Sequence, residues 1–329
     1  MTSLAKYALA AAVLIVISFS LGNYQEDIFR KLLLVVALAI GFNFLFGIAG
    51  QVAFSHYAFY GIGAYAVVIL TFKAGVPLGI AIIAAVAICA LLALIVAIPA
   101  TRLEGFYLGM ATLAFAQLFI VVLDEGGTWT NGAGGITNYK LPTIFGYSIT
   151  GPHYTVVIIL MLLGTLAILT RLDRSWFGRA CRAIRDNPEA AAAMGVNVPR
   201  TKIIVFVLTS TLAGAAGIVY AFVDNAISPP TFDLNKIFVL LFMVIVGGSG
   251  RHAGAIIGAV ILFIAPYLLE GVPAISHIHP LFFGIIMVVA ILYQPKGLIG
   301  VYDAARARWL KREKAQSQPQ PHTKPGSAP

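Results

Sequence analysis

Charged residues are scarce in this sequence, and almost none of them lie within its long apolar runs. Charged side chains make up 11% of the 329 residues and apolar side chains 60%, whereas soluble domains carry roughly 25% charged residues. The chain also lacks the HExxH and GxSxG motifs and any pair of carboxylates inside an apolar run. This composition excludes an ordinary soluble domain, and it gives no basis for predicting an enzyme or a catalytic residue.

Cysteine and histidine are also few, and neither is spaced as metal ligands are. The two cysteines are Cys89, in an apolar run, and Cys181, in a polar segment, so we predict no disulfide between them. The six histidines are scattered, and we expect neither a metal site nor a cofactor. The glycine-rich run 247–254 lacks the Gly-Lys-Ser/Thr ending of a phosphate-binding loop, which argues against a nucleotide site in this chain.

Long apolar runs, by contrast, recur along most of the chain, and several reach the ~20 residues that cross a bilayer. We therefore predict an all-α, polytopic membrane protein with about ten transmembrane helices in one domain over residues 1–301. A basic tail rich in proline, glutamine and serine follows at 302–329 and is expected to be disordered and cytoplasmic. The predicted spans are 5–22, 32–50, 57–72, 77–99, 105–123, 153–170, 203–223, 237–250, 253–269 and 279–295.

The basic residues are concentrated in two segments, and this asymmetry predicts the orientation of the spans. Cytoplasmic loops of membrane proteins carry an excess of lysine and arginine. The segment 171–202 holds seven such residues, and the tail at 302–329 holds five more near its start, so we place both segments and both termini in the cytoplasm. The net charge of +9 is then explained by topology and by contact with anionic lipid, with no indication of nucleic acid binding.

The first of these basic segments contains a sequence that is typical of a short helix standing outside the membrane. Asp186 or Asn187 can cap its N-terminus, and Pro188 suits the first helical position. Glu189 is favourable near the positive helix end, and strong helix formers follow it. Gly195 can adopt the left-handed conformation that ends a helix. A helix of this kind offers a shape that a partner protein can bind, although an ordinary solvated loop is the alternative.

Small residues recur at four-residue intervals in two of the predicted spans. Gly250, Gly254 and Gly258 are expected to share one helix face, as are Ala213 and Gly217. Such faces let helices approach closely, which matters because lipid supplies no hydrophobic drive for helix association. We expect plain packing at these faces, with a sliding helix contact as the alternative.

Polar groups within the predicted spans are few, and ionisable ones are nearly absent. Carriers driven by an ion gradient usually keep carboxylates or histidines at membrane depth, and His56 is the one candidate in this sequence. If this chain moves a solute, the energy is therefore expected to come from another protein. The notable polar residues at depth are Asn43, Gln51, Ser55, His56, Thr112, Gln117, Thr209, Ser210 and Thr211.

Three sequence blocks resemble the motifs of one family of transport proteins. The stretch 43–65 resembles NxxxxxxGQxSxGHxAFxGIGAY, although Ala53 stands in place of the usual serine and Ser55 in place of the usual glycine. The stretch 247–258 resembles GGxGxxxGxxxGA, and the stretch 295–300 resembles P[RK]GLxG. Each block alone is moderate evidence, but their order and their topological places agree with the family.

A fourth block lies in the polar segment and identifies the kind of transporter. Glu189-Ala190-Ala191 followed by Gly195 is similar to the EAAxxxG core of the membrane subunits of ABC importers. The preceding stretches 177–179 and 183–186 resemble the branch that carries branched-chain amino acids. With its four blocks, the chain resembles the membrane subunit of a branched-chain amino-acid ABC importer of the LivM type.

This resemblance implies a set of partners and a mechanism. Two cytoplasmic ATPase subunits would supply the energy, a related second permease subunit would complete the pathway, and an extracytoplasmic substrate-binding protein would deliver the amino acid. The short helix would be the coupling helix that seats in an ATPase, in a protein of the bacterial inner membrane. The residues then expected to carry or support ATPase contact are Arg182, Arg185, Glu189, Ala190, Ala191 and Gly195.

The substrate pathway is harder to predict, and polarity at membrane depth is the criterion available. Hydrogen bonding between helices is the alternative role for polar residues at that depth. The substrate could instead be urea, a short amide or an aromatic acid, since importer subunits for these solutes resemble one another. An autonomous secondary carrier or channel and a scaffold without transport activity are alternatives from other classes. The residues predicted for the pathway are Asn43, Gln51, Ser55 and Thr112.

Overall fold

Helices account for most of the chain in the computed structural model. The predicted span at 279–295 and the tail at 302–329 lie outside the residues that the structure describes. Those residues are 3–103, 105–137, 139, 143–144, 147–148, 152–269, 297–298 and 300. The helices are α1 (Ser3–Ser20), α2 (Asn23–Asn43), α3 (His56–Val68), α4 (Leu78–Ala100), α5 (Phe106–Glu125), α6 (Gly127–Thr130), α7 (Pro152–Arg174), α8 (Trp176–Asp186), α9 (Pro188–Ala193), α10 (Val198–Tyr220), α11 (Leu234–Gly247) and α12 (His252–Leu269).

The membrane-spanning character of the chain is confirmed by the length and hydropathy of its helices. Nine of the ten predicted spans fall on helices of the described residues. Shorter apolar stretches lie in α1 and α12. The all-α, polytopic class is therefore confirmed, whereas the number of ten spans stays a prediction. Within the described ranges, the six helical segments long and apolar enough to cross a membrane are Asn23–Ile48, Leu78–Ala100, Phe106–Glu125, His153–Arg174, Val198–Tyr220 and Pro229–Gly247.

The connection between α2 and α3 is a break that lies inside the protein. α2 passes into a π-helical turn at Phe44–Ile48, and residues 49–55 are then non-helical. Gln51 and Ser55, on this stretch, are buried. Irregular backbone at membrane depth is tolerated only where protein or a water-filled cavity surrounds it. The break is therefore part of the interior of the helix bundle.

α10 lies at the centre of the bundle and packs closely against α3 and α4. A Cβ at Gly63 would overlap the Gly214 carbonyl oxygen, and a Cβ at Gly217 would overlap that of Tyr60. Such close approach allows van der Waals packing between the helices, which stabilises their association where lipid supplies no hydrophobic drive. The predicted packing face at Ala213 and Gly217 is thus confirmed. The face of α4 turned toward the bundle is built from Ala81, Ala85, Cys89, Ala93 and Ala97.

The predicted glycine face of α12 is correct for two of its three residues. Gly254 and Gly258 pack against α11, because a Cβ at Gly258 would overlap the Met243 carbonyl oxygen. Gly250 precedes the helix, which begins at His252. It lies in the turn between α11 and α12 with a φ of 86°. The prediction was therefore wrong for Gly250, which the turn needs for its left-handed backbone.

Valine at Gly217 is expected to prevent α10 from seating against α3. The new Cβ would overlap a backbone carbonyl, which cannot move aside as a flexible side chain can. Because overpacking costs about 1–3 kcal/mol or more, thermal unfolding in detergent should occur at a clearly lower temperature. The matched control is Gly164→Val in α7, where a Cβ would meet nothing within 4 Å. Equal stability of the two variants would contradict this packing.

The loops of the bundle separate into two ends. The first, which we call the strand end, carries an antiparallel pair in which Ile136 lies opposite Ile227. An ion pair of 3.0 Å between Lys31 and Asp224 lies there too. The second, which we call the basic end, carries α8, α9 and the turn between α11 and α12. The strands are β1 (Ile136–Thr137), β2 (Thr143–Ile144), β3 (Tyr147–Ser148) and β4 (Ala226–Ile227), paired β1 with β4 and β2 with β3.

Candidate coupling site

α8 is an amphipathic helix that follows α7 at the basic end with a single residue between them. That residue, Ser175, caps α8, since its hydroxyl accepts a hydrogen bond from the Phe177 N–H at 3.1 Å. Phe177, Cys181 and Ile184 are buried against the bundle. Burial raises the pKa of the Cys181 thiol to about 12, so this thiol is protonated and unreactive at neutral pH. α8 is therefore a fixed support for the helix that follows it.

The predicted short helix is present as α9. Of the two candidate caps, Asn187 is the one used, because its Oδ1 accepts a hydrogen bond from the Ala190 N–H at 2.9 Å. Pro188 occupies the first position, where its missing N–H has no cost. Gly195 has a φ of 86° just beyond the end of the helix, as predicted. The helix thus begins and ends through local signals in its own sequence.

α9 projects from the bundle with a mostly apolar outer surface. Glu189 and Ala190 are exposed, and Met194 is 85% exposed just beyond the end of the helix. Ala191 is buried and holds the inner face of α9 to the protein. A Cβ at Gly195 would meet nothing within 4 Å. Exposed methionine is common at surfaces that bind other proteins, so the outer side of α9 has the character of a contact surface.

The two arginines predicted to support partner contact both reach back into this chain. Arg182 forms an ion pair with Asp173 of α7 and also donates to the Asp173 carbonyl at 3.0 Å. Arg185 donates from Nη1 to the Gly47 carbonyl at 2.5 Å, across 138 residues of sequence. Both side chains remain 41% exposed. The arginines therefore join α8 to α7 and to the broken end of α2.

Glycines from two other segments surround the Arg185 contact, and Gly297 from a third packs against the turn that holds Gly250. We call Gly47, Gly50, Gly250, Gly297 and Arg185 together the glycine junction. A Cβ at Gly50 would lie 2.5 Å from Cγ of Arg185, and a Cβ at Gly47 would overlap the Gly250 nitrogen. A Cβ at Gly297 would overlap the backbone of the residue that follows α11. Each of the four sequence blocks therefore contributes a residue to this junction.

Two of the predicted pathway residues hold the broken end of α2 in place. The Asn43 Oδ1 accepts a hydrogen bond from the Gly250 N–H at 2.8 Å, which ties α2 to the glycine junction. The Gln51 Nε2 donates to the Lys202 carbonyl at 3.1 Å, near the start of α10. Both side chains are buried. Within this chain, these two residues connect helices through hydrogen bonds.

The other two predicted pathway residues are Ser55, the last residue of the non-helical stretch, and Thr112, which contacts that stretch from α5. The Thr112 hydroxyl accepts a hydrogen bond from the Phe54 N–H at 2.9 Å. Ser55 Oγ, both ring nitrogens of His56 and Ser210 Oγ are buried without a hydrogen-bond partner among the described residues. Buried polar groups normally have a partner, so this is a place where water could enter. The pathway role of the four residues stays a prediction.

Three residues of the site were not identified from the sequence. Gly50 stands directly before Gln51 in the first sequence block, so the resemblance contained a signal for it. Gly47 lies within the same block at a position that the motif leaves open. Asp173 carries no signal, because its pairing with Arg182 depends on the angle at which α7 meets α8.

Membrane-length helices, together with a short helix held rigidly at one end, are the features of a polytopic permease subunit. A family model described as branched-chain amino acid transport system / permease component matches residues 24–291. The chain belongs to this family, which confirms the resemblance seen in its sequence blocks.

Several curated proteins are similar to this chain. The high-affinity branched-chain amino acid transport system permease protein LivM of Salmonella typhimurium is 26% identical over 305 residues, 85% of this chain and 71% of the relative. LivM of Escherichia coli K12 is 26% identical over 306 residues with the same coverage. A probable branched-chain amino acid transport permease protein LivH of Methanocaldococcus jannaschii is 31% identical over 205 residues, 58% of this chain and 63% of the relative. No solved structure matches this chain.

Proposed function

We propose that this chain is the membrane-spanning subunit of an ATP-driven importer and forms, with a partner permease, the pathway for branched-chain amino acids. The observation that carries the proposal is α9, an exposed helix. The helix before it, α8, is fixed to the break of α2 through Arg185. Family membership supports the substrate class. Similarity to proteins named LivM and LivH supports a pair of related permeases.

α9 acts as the coupling helix in this proposal. Its six residues span about 9 Å, which suits a knob that seats in a groove of a cytoplasmic ATPase. Closure of two ATPases would displace α8, and Arg185 would carry that displacement to the glycine junction and so to α2, α11 and α12. Ala191 is buried and holds the inner face of α9 to the protein, and Arg182 holds α8 to α7. The residues assigned to ATPase contact or to its support are Arg182, Arg185, Glu189, Ala190, Ala191 and Gly195.

The orientation of the importer follows from the distribution of its basic residues. The basic end would face the cytoplasm, because Arg171 and Arg174 in the last turn of α7 lie there. The strand end would face the extracytoplasmic side, where a soluble binding protein would deliver the substrate. This assignment places both termini in the cytoplasm of a bacterial cell, with the bundle in its inner membrane.

The proposal is tested by purifying the chain from its native host in mild detergent and identifying the associated proteins by mass spectrometry. Two ATPases and a related permease are the expected partners. The binding protein would then be screened with leucine, isoleucine and valine, and with urea, short amides and aromatic acids as the competing substrates. If the chain alone moves solute in liposomes without ATP, the proposal is wrong and the chain is an autonomous carrier.

A further inference from the structure

Gln117 is a polar residue that the bundle leaves uncovered at membrane depth. It lies on α5, eight residues before Glu125 at the strand end, which places it about 12 Å inside a hydrocarbon core of ~30 Å. The side chain is exposed, and no hydrogen bond to it is found within the part of the chain that the structure describes. Asn43, Gln51 and Thr112, which were also predicted to be polar residues at membrane depth, are all buried. A lipid-facing amide would leave its donors and acceptor unsatisfied, so the position of Gln117 is unsuited to lipid.

The same face of α5 leads from the middle of the membrane to a cleft at the strand end. The cleft has a volume of about 340 Å³ and is lined by Ile120 and Asp124 of α5 together with Ala133, Asp233 and two prolines. Its size falls within the roughly 300–1,000 Å³ of small-molecule sites. Residues three or four apart share one side of a helix. Exposed residues along this side of α5 include Phe106, Met110, Ala114, Gln117, Val121 and Asp124.

We propose that this face of α5 is one wall of the substrate pathway. The cleft admits the amino acid at the strand end, where the Asp124 carboxylate attracts its ammonium group. The Gln117 amide then hydrogen-bonds the charged groups of the amino acid in the middle of the membrane. The partner permease supplies the opposite wall, because this subunit alone leaves the face uncovered. The inference rests on the proposed function, which supplies both the amino-acid substrate and the second permease.

The chemistry of the face suits an aliphatic zwitterion that must pass and be released. An amide donates through its nitrogen and accepts through its oxygen, so Gln117 can serve the carboxylate and the ammonium group alike. Because the amide is neutral, it binds both groups weakly enough for the amino acid to be released. A pathway needs sites at which binding is favourable but weak. Ala114 and Val121, on either side, offer apolar surface to a branched side chain.

Thiol accessibility tests whether the face is wet. The importer, assembled with its permease partner, ATPases and binding protein in membrane vesicles, would carry Gln117→Cys and be treated with a charged, water-soluble methanethiosulfonate reagent. The native Cys89 and Cys181 are buried and give a low background. Labelling is expected, together with protection when leucine and the binding protein are present at saturating concentrations. The control is Leu160→Cys, exposed on α7 and also eight residues from the strand end of its helix, which should stay unlabelled in lipid.

Uptake tests whether the amide contacts the substrate. Since a hydrogen bond to a charged group is lost, Gln117→Leu should lower ATP-driven leucine uptake about tenfold, with the ATPases still bound, while Gln117→Asn retains part of it. The inference is overturned if Gln117→Cys labels no faster than Leu160→Cys, if leucine gives no protection, or if Gln117→Leu transports normally. Failure of the unmodified complex to take up leucine with ATP would instead overturn the proposed function. The labelling of Gln117→Cys and Leu160→Cys without leucine would then still test whether this face of α5 is exposed to water.

Discussion

Replacing Gly195 with tryptophan is expected to abolish ATP-driven uptake while the protein still inserts and folds in the membrane. Within the chain, a side chain at this position would meet nothing within 4 Å, so the bundle itself has room for the indole ring. The left-handed backbone at a φ of 86° adds strain of roughly 1–2 kcal/mol for any residue with a Cβ. This strain falls on the end of α9, and the ring would lie where the proposed ATPase groove closes around the helix.

A second glycine of the chain provides a control that separates bulk and strain from location. Gly75 also has a positive φ, of 68°, is exposed, and has nothing within 4 Å of its would-be Cβ, but it lies at the strand end. Gly75→Trp should therefore retain uptake, and Gly195→Ala should give an intermediate value because it carries the strain without the bulk. Uptake and ATP hydrolysis would be measured in proteoliposomes that contain equal amounts of inserted protein. Normal uptake by Gly195→Trp would remove α9 from the coupling mechanism.

The parts of the site that the sequence predicted correctly are those that local chemistry determines. Asn187, Pro188 and Gly195 each act on the backbone within a few residues of themselves, so α9 could be placed almost to the residue. Apolar runs of membrane length likewise determine where the spans lie, since the bilayer imposes its thickness on each one separately. Helix boundaries differed mainly where the chain continues as helix outside the lipid, as at the start of α2.

The parts that the sequence could not predict depend on how distant segments meet. Arg185 was expected to support ATPase contact, but nothing near it in sequence indicates that the Gly47 carbonyl lies within hydrogen-bonding distance. Gly250 was placed on a helix face because its spacing matched, although the turn before His252 needs it. Gln117 could be recognised as polar at depth but not as exposed, since burial is set by the side of α5 that the other helices cover.

Replacing Arg185 with alanine is expected to leave ATP hydrolysis in place and to uncouple it from uptake. The change removes the hydrogen bond to the Gly47 carbonyl and an exposed ion pair with Asp186, while the Asn187 cap of α9 and the buried face of α8 remain intact. A hydrogen bond from a charged donor contributes roughly 1.5–3 kcal/mol. Because the side chain is 41% exposed, the lower end of that range applies, which corresponds to about a tenfold loss of uptake per ATP. Arg185→Lys should not restore coupling, since the lysine side chain is shorter and its ammonium group lacks the planar fork of the guanidinium.

The ratio of uptake to hydrolysis distinguishes this role from a direct contact between Arg185 and the ATPase. If Arg185 touched the ATPase, the alanine variant would lose hydrolysis and co-purification of the ATPases together with uptake, and the ratio would hardly change. If it acts through the glycine junction, only uptake falls. Arg179→Ala is the matched control, because it removes the same charge from the same helix at an exposed position. If uptake, hydrolysis and co-purification all stay normal in Arg185→Ala, α8 moves α2 by some other contact, and Arg182 with Asp173 would then be the next pair to separate.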